Sequence, residues 1–129
     1  MKKPSCSFAH RGAAILLMAW SACFGPAQAS QLCSPSRLVA LKQARSIVAE
    51  AGFSTELYAR GKTTTLFNDE LLQQANDELT SVRKTLEDND EAVALVDAAQ
   101  SEIQSGNIAR LRALTGDLLN LEHGNERCP

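Results

Sequence analysis

Apolar residues recur at steps of three and four positions through most of the chain between Leu38 and Leu121. This spacing places them along one face of an α-helix, which repeats every 3.6 residues. The longest unbroken series is Leu72, Ala75, Leu79, Val82 and Leu86. It spans only two heptads, too few for a coiled coil, so it predicts a bundle helix. No segment alternates apolar and polar residues as a half-buried strand does, and we therefore expect an all-α fold.

Local signals divide the first half of this pattern into helices. Ser34 followed by Pro35 is typical of a helix start, because serine caps the free N–H groups and proline has none to lose. Gly52 predicts the end of that helix in the left-handed conformation. A short helix of one or two turns is then expected from Ser54 to Gly61.

A second set of signals divides the rest of the chain. Asn68 is expected to cap the next helix, with Asp69 and Glu70 stabilising its first turn through the helix dipole. Turns are predicted at 88–91 and at the Ser-Gly-Asn sequence 105–107, and Gly124 is expected to end the last helix. The sequence thus predicts a small antiparallel four-helix bundle, made of four main helices plus one short helix.

The first 29 residues have the three parts of a secretory signal peptide. Lys2, Lys3 and Arg11 are basic, an uncharged apolar run follows, and Ala27-Gln28-Ala29 supplies small residues before Ser30. We predict cleavage between Ala29 and Ser30, which makes 1–29 a signal peptide and 30–129 the mature helical domain. The twin-lysine start and the Ala-Gln-Ala site favour a bacterial periplasm or the extracellular space.

Residues 20–23, Trp-Ser-Ala-Cys, offer an alternative processing site to the one after Ala29. They resemble the lipobox of bacterial lipoproteins, which implies lipidation of Cys23. Trp20 stands where that pattern has an aliphatic residue, so cleavage at Ala29 is the preferred prediction.

Cleavage would change the charge of the chain. It removes three of 13 basic residues and none of 15 acidic ones, which takes the net charge from −2 to −5. An acidic chain without a basic stripe repels phosphate, so we expect no nucleic-acid partner. It has no basic amphipathic face for anionic lipid either, and we expect no stable membrane insertion once the signal peptide is removed.

Cys33 and Cys128 are the two cysteines that cleavage at Ala29 would leave. An even pair in an oxidising compartment favours a disulfide, here one that joins the two ends of the domain. An antiparallel four-helix bundle brings its ends together as such a bond requires. Pairing between chains and a metal site are the alternatives, and neither cysteine has further ligands close by in the sequence.

The sequence carries no recognisable catalytic or cofactor motif. Gly61-Lys62-Thr63 ends like a phosphate-binding loop, but Glu56 stands where that loop needs its first glycine. His123 lies between carboxylates, which is too few ligands for a metal site, and is better interpreted as a cation at a helix C-terminus. We predict no catalytic residue, no metal and no cofactor.

Residues 53–67 are the candidate functional segment. This aromatic segment holds Phe53, Tyr58 and Phe67, all the aromatics after residue 29, together with Arg60 and Lys62. Aromatic and basic side chains are favoured anchors of protein interfaces. The competing interpretation is that the aromatics cap one end of the core, and for Phe53 and Phe67 the core is the preferred place.

The lack of a catalytic motif, together with the aromatic segment, predicts a binding protein rather than an enzyme. We expect an exported helical protein that acts by protein–protein interaction, as an adaptor, chaperone, pilotin-like factor or immunity protein. A periplasmic carrier that holds a small ligand in its core is the alternative, and a small all-helical secreted enzyme is a further one.

Overall fold

A computed structural model describes residues 34–127, which form four helices and contain no strand. Helix α1 is Pro35–Ala59, α2 is Thr65–Thr85, α3 is Glu91–Ser105 and α4 is Ile108–Glu126. The all-α prediction is confirmed for this part of the chain. The predicted signal peptide, its cleavage site at Ala29 and Ser30, and the cysteines Cys23, Cys33 and Cys128 lie outside the described residues.

Helix α1 begins where the sequence predicts and ends later. Ser34 is the N-cap residue and Pro35 is the first helical residue, but the Ser34 hydroxyl bonds the hydroxyl of Ser36 and caps no backbone N–H. The helix does not stop at Gly52, which is buried within it and is not among the glycines with positive φ. Gly61, with φ of 67°, is the left-handed glycine that follows the helix. The predicted short helix is therefore the last part of α1, and the described residues contain four helices rather than five.

Two polar side chains explain how α1 continues past Gly52. Ser54 and Thr55 are buried, and helix interiors tolerate such residues when their hydroxyls find partners. Thr55 donates to the carbonyl of Ala51 at 2.8 Å, and Ser54 donates to Oδ1 of Asn68 on α2 at 2.9 Å. Both hydroxyls are thus satisfied within the protein, and the buried face of the helix extends to its last turns.

Helix α2 starts four residues before the predicted position. Its N-cap is Thr64, whose hydroxyl accepts a hydrogen bond from the N–H of Phe67 at 3.2 Å. Asn68 is not the cap; it is buried inside the helix against Ser54. As a result Asp69 and Glu70 lie beyond the first turn, which holds no acidic residue.

The later boundaries follow the sequence closely. Asp90 caps α3 by accepting from the N–H of Ala92 at 3.0 Å. Gly106 ends α3 with φ of 68°, and Asn107 caps α4 through the N–H of Arg110. These two confirm the tight turn between α3 and α4. Helix α4 runs through Gly124 to Glu126, two residues longer than predicted.

The apolar stripes of the four helices meet in one core. Helix α1 packs against each of the other three, and α2 packs on α3 and α3 on α4. The largest side chains with almost no exposed surface come from all four helices and are Leu41, Val48, Leu79, Val96, Leu111, Leu114 and Leu118. The predicted seam on α2 is confirmed, with four of its members buried and Leu72 packed at the edge of the core.

Hydrogen bonds at the two ends of the molecule show that neighbouring helices run in opposite directions. At one end, Arg37 near the start of α1 reaches Asp90 before α3 and Asn125 at the end of α4. At the other end, Ser54 near the end of α1 reaches Asn68 near the start of α2. This alternation is the one expected of an antiparallel four-helix bundle.

Replacing Gly52 by alanine tests the continuity of α1. A methyl group there would lie 3.5 Å from Cβ of Leu111, an ordinary contact. Alanine is favoured over glycine in a helix interior, so Gly52→Ala is expected to raise the free energy of unfolding by about 0.5–1 kcal/mol.

Gly106→Ala is the matched control, because its positive φ is strained for alanine and stability should fall. Urea unfolding followed by circular dichroism measures both variants. A loss of stability in Gly52→Ala would contradict a continuous α1 and would indicate that the helix ends at Gly52.

Candidate functional site

Phe53 and Phe67 lie on the same side of the α1–α2 pair. The hydrogen bond between Ser54 and Asn68 sets the level at which the two helices meet. Each phenylalanine precedes one of these residues, so each is turned by roughly 100° from the contact. Because the helices run in opposite directions, equal turns place both rings on one face of the pair. Both are exposed, so this face is the outer one.

The exposure of these rings corrects one expectation. Phe53 is 63% and Phe67 is 53% exposed, so neither caps the core as the preferred interpretation held. The structure buries the polar neighbours Ser54 and Asn68 in their place. In α1, which continues past Gly52, Ser54 lies on the buried side and Phe53 on the exposed side.

Tyr58 and Leu66 add to the apolar surface of the aromatic segment. Tyr58 is 42% exposed, and its hydroxyl oxygen accepts a hydrogen bond from Thr65 at 3.2 Å. Leu66 is 70% exposed. Four of the six large apolar side chains that are exposed in the described residues thus belong to residues 53–67, and Val39 and Leu119 are the other two.

The two basic residues of the segment have different surroundings. Arg60 is exposed and pairs with Glu56 one turn earlier, at 2.6 Å. Glu56 also pairs with Arg112 of α4, so Arg60 belongs to a surface network that joins two helices. Lys62 is exposed in the turn between α1 and α2, where its N–H donates to the carbonyl of Leu57. The structure therefore places Phe53 and Phe67 on one exposed face, with Arg60 and Lys62 beyond them at and after the end of α1.

An acidic surface continues from Phe67 along α2. A shallow depression of about 380 Å³ is lined by residues of this one helix, namely Glu70, Gln73, Gln74, Asp77, Glu78 and Ser81. Gln74 donates to Glu78 at 2.8 Å. The candidate site therefore combines exposed aromatic rings with neighbouring carboxylates.

A cluster around Arg37 was not predicted from the sequence. The guanidinium donates two hydrogen bonds to Asp90, at 2.7 and 2.9 Å, and a third to Asn125 at 3.2 Å. Only 10% of the Arg37 side chain and 8% of the Asp90 side chain are exposed. Burial alone would raise the pKa of Asp90, but the bonds from Arg37 and from the N–H of Ala92 outweigh it and lower that pKa. The cluster ties three helices together at the end opposite the aromatic segment.

Ion pairs also account for the carboxylates around His123. Glu122 is buried and accepts from Arg45 at 2.5 Å, and Glu126 pairs with Lys42 at 3.3 Å. Residues 34–127 contain no cluster of histidine, cysteine, aspartate and glutamate side chains arranged to hold a metal. His123 lies in the last turn of α4.

Searches against known proteins return no relative for the chain: no family model, no curated protein and no solved structure matches it. Among the described helices, none combines the length and the apolar character that a membrane span requires.

The Arg37 cluster predicts a pH-dependent stability. Because the pKa of Asp90 is lower in the folded protein, its contribution is complete above the ordinary value of 3.8 and is lost as the pH falls below it. Asp90→Asn keeps a helix cap but removes the charge. We expect it to lower the free energy of unfolding at pH 7 by about 1.5–3 kcal/mol, the range for hydrogen bonds to charged groups.

Urea unfolding between pH 7 and pH 3 measures this effect. Asp90→Asn should lose less stability than the unaltered chain as the pH falls through this range. Asp97→Asn is the control, because Asp97 pairs with Arg83 on an exposed surface, where an ion pair contributes little. Equal effects of the two substitutions would contradict a special role for the Arg37 cluster.

Proposed function

We propose that this chain is an exported helical protein that acts by binding another protein through its aromatic segment, residues 53–67. The observation that carries the proposal is the exposure of Phe53, Tyr58, Leu66 and Phe67 in one stretch of the fold. Clustered apolar surface of this kind is typical of interfaces, since water is released when a partner covers it.

The residue types in the aromatic segment support a protein as the partner. Tyrosine and arginine are enriched among the residues that dominate binding energy, and Tyr58 and Arg60 lie within two positions of each other. The segment is held by two rigid helices and their short turn, so little order has to be created on binding. An adaptor, chaperone, pilotin-like factor or immunity protein would each use such a surface.

Export and the terminal disulfide are part of the same proposal. The link between Arg37 and Asn125 places the start of α1 beside the end of α4, and these ends adjoin Cys33 and Cys128 in the sequence. Such a bond would close a loop of nearly the whole domain. For a loop near 100 residues, the chain-entropy estimate of its stabilisation is about 4.7 kcal/mol.

Substitution of the two phenylalanines tests the binding role. Phe53→Ala with Phe67→Ala should abolish recovery of the partner when the tagged chain is crosslinked in its native host, purified and examined by mass spectrometry. Because both rings are exposed, helicity should not change. Leu119→Ala on α4 is the control and should keep the partner. Retention of the partner by the double variant would contradict the proposal, and co-purification of a small molecule in place of a protein would favour the carrier.

Mass spectrometry of the purified exported chain tests the predicted cleavage site and the predicted disulfide. We expect an N-terminus at Ser30 and a mass two hydrogens below that of the reduced chain. Because the bond restricts the unfolded chain, reduction should lower the melting temperature by several degrees. A lipid on Cys23, or free thiols at Cys33 and Cys128, would contradict the corresponding part of the proposal.

A further inference from the structure

The helical repeat extends the pair formed by Phe53 and Phe67 into a groove. Residues of α1 on the same side as Phe53 follow at steps of three and four and are Val39, Gln43, Ser46, Glu50, Phe53 and Leu57. The matching residues of α2 are Phe67, Leu71, Gln74, Glu78 and Ser81. All of them are exposed or half-buried. We call the surface formed by these two rows the outer groove.

The outer groove has an apolar end and an acidic stretch. Phe53 and Leu57 of α1 face the same side as Phe67 and Leu71 of α2, and these four form the apolar end near the turn between the helices. Glu50 and Glu78 follow along the two rows, and Glu70 and Asp77 border Glu78 on the exposed surface of α2.

The carboxylates of the groove differ from those elsewhere in the fold. Glu50 and Glu78 in the groove, and Glu70 and Asp77 beside it, form no ion pair with any residue of the described chain. Carboxylates outside the groove commonly do, and those paired with arginine or lysine are Glu56, Asp90, Glu91, Asp97, Glu102, Glu122 and Glu126. Helix α2 contains no basic residue before Arg83. The charge of the groove is therefore left for a partner to neutralise.

We infer, resting on the binding function proposed above, that the outer groove receives a basic amphipathic helix of the partner protein. Apolar side chains of that helix, spaced at i, i+3, i+4 and i+7, would cover Phe53, Leu57, Phe67 and Leu71. Lysine or arginine in the following turns would face Glu50 and Glu78. Two helices offer no free backbone edge to a strand, and a groove between helices fits a third helix.

Charge complementarity favours this occupant over two others. A second copy of the chain would bring the same carboxylates against each other, which repels. An anionic membrane surface is repelled for the same reason. A basic helix is attracted by the four carboxylates in and beside the groove and also covers the rings of Phe53 and Phe67.

Two synthetic peptides test the inference on the protein as its host processes it. The first is a helix of about five turns with leucines in two turns and lysines in the rest. The second replaces every lysine with glutamate. Fluorescence anisotropy should show binding of the basic peptide alone, weakening as salt rises from about 0.05 to 0.3 M because salt screens the charges.

Substitutions locate the binding. Phe53→Ala with Phe67→Ala should weaken the basic peptide about tenfold or more, as expected for interface anchors. Glu50→Gln with Glu78→Gln should weaken it about threefold to tenfold and flatten its salt dependence. The matched controls are Leu119→Ala for the apolar change and Glu87→Gln with Asp117→Asn for the charge change, and neither should alter binding. Circular dichroism checks that each variant keeps its helices.

Several outcomes would overturn the inference. One is equal binding of the two peptides, and another is an equal loss of peptide affinity in the control and groove variants. The others are a dimer of the chain that Phe53→Ala with Phe67→Ala abolishes, and binding to anionic vesicles in place of the peptide. The binding function fails separately, if the native partner is retained by Phe53→Ala with Phe67→Ala. Loss of that partner without binding of the basic peptide would leave the function standing and refute the basic helix.

Discussion

The hydrogen bond between Ser54 and Asn68 sets the arrangement on which the rest of the candidate site depends. Both side chains are buried, and a buried polar group without a partner costs about 1–3 kcal/mol. Each therefore needs the other, and only one register of α1 against α2 brings them to 2.9 Å. A shift of one residue in either helix would break the bond and rotate the apolar faces. This polar contact thus favours a single alignment that apolar packing alone would specify less sharply.

The same register determines what the protein shows to its surroundings. With Ser54 and Asn68 turned inward at the α1–α2 contact, the preceding residues Phe53 and Phe67 lie on the exposed side. The opposite end of the bundle is closed by Arg37, which satisfies Asp90 and Asn125 and leaves little of its charge exposed. Long-range ionic contacts hold one end, whereas on the outer face of α1 and α2 the rings of Phe53 and Phe67 are exposed and nearby carboxylates such as Glu50 and Glu78 form no ion pair within the described residues. The proposed binding role would use this division, because groups engaged in binding are not available for folding.

The sequence was sufficient where one residue decides a structure by itself. Gly106 and Asn107 form the turn because a left-handed position requires glycine and a new helix requires a cap. It failed at Gly52, since glycine also occurs inside helices, and the buried residues that continue α1 are the polar Ser54 and Thr55. The error at Asn68 has the same origin: a side chain able to cap a helix was used to bind Ser54.

Local sequence signals could not predict contacts between residues that are far apart in the sequence. Arg37 and Asp90 are 53 positions apart, and neither residue type indicates its partner. The bundle topology does bring the start of α1 near the end of α2, which would have made the pair a candidate. The exposure of Phe53 likewise required the register between helices, because periodicity places a residue on a face without saying which faces are covered.

The position at which α2 starts decides whether the helix dipole stabilises its carboxylates. If the helix began after Asn68, Asp69 and Glu70 would stabilise its first turn, and the fold would account for them. The helix begins at Thr65, so both lie beyond that turn, and Asp77 and Glu78 lie further still. Neither the dipole nor an ion pair within the described residues then stabilises any of the four. The four carboxylates therefore form a solvated acidic surface, which is the surface that the proposed basic partner would neutralise.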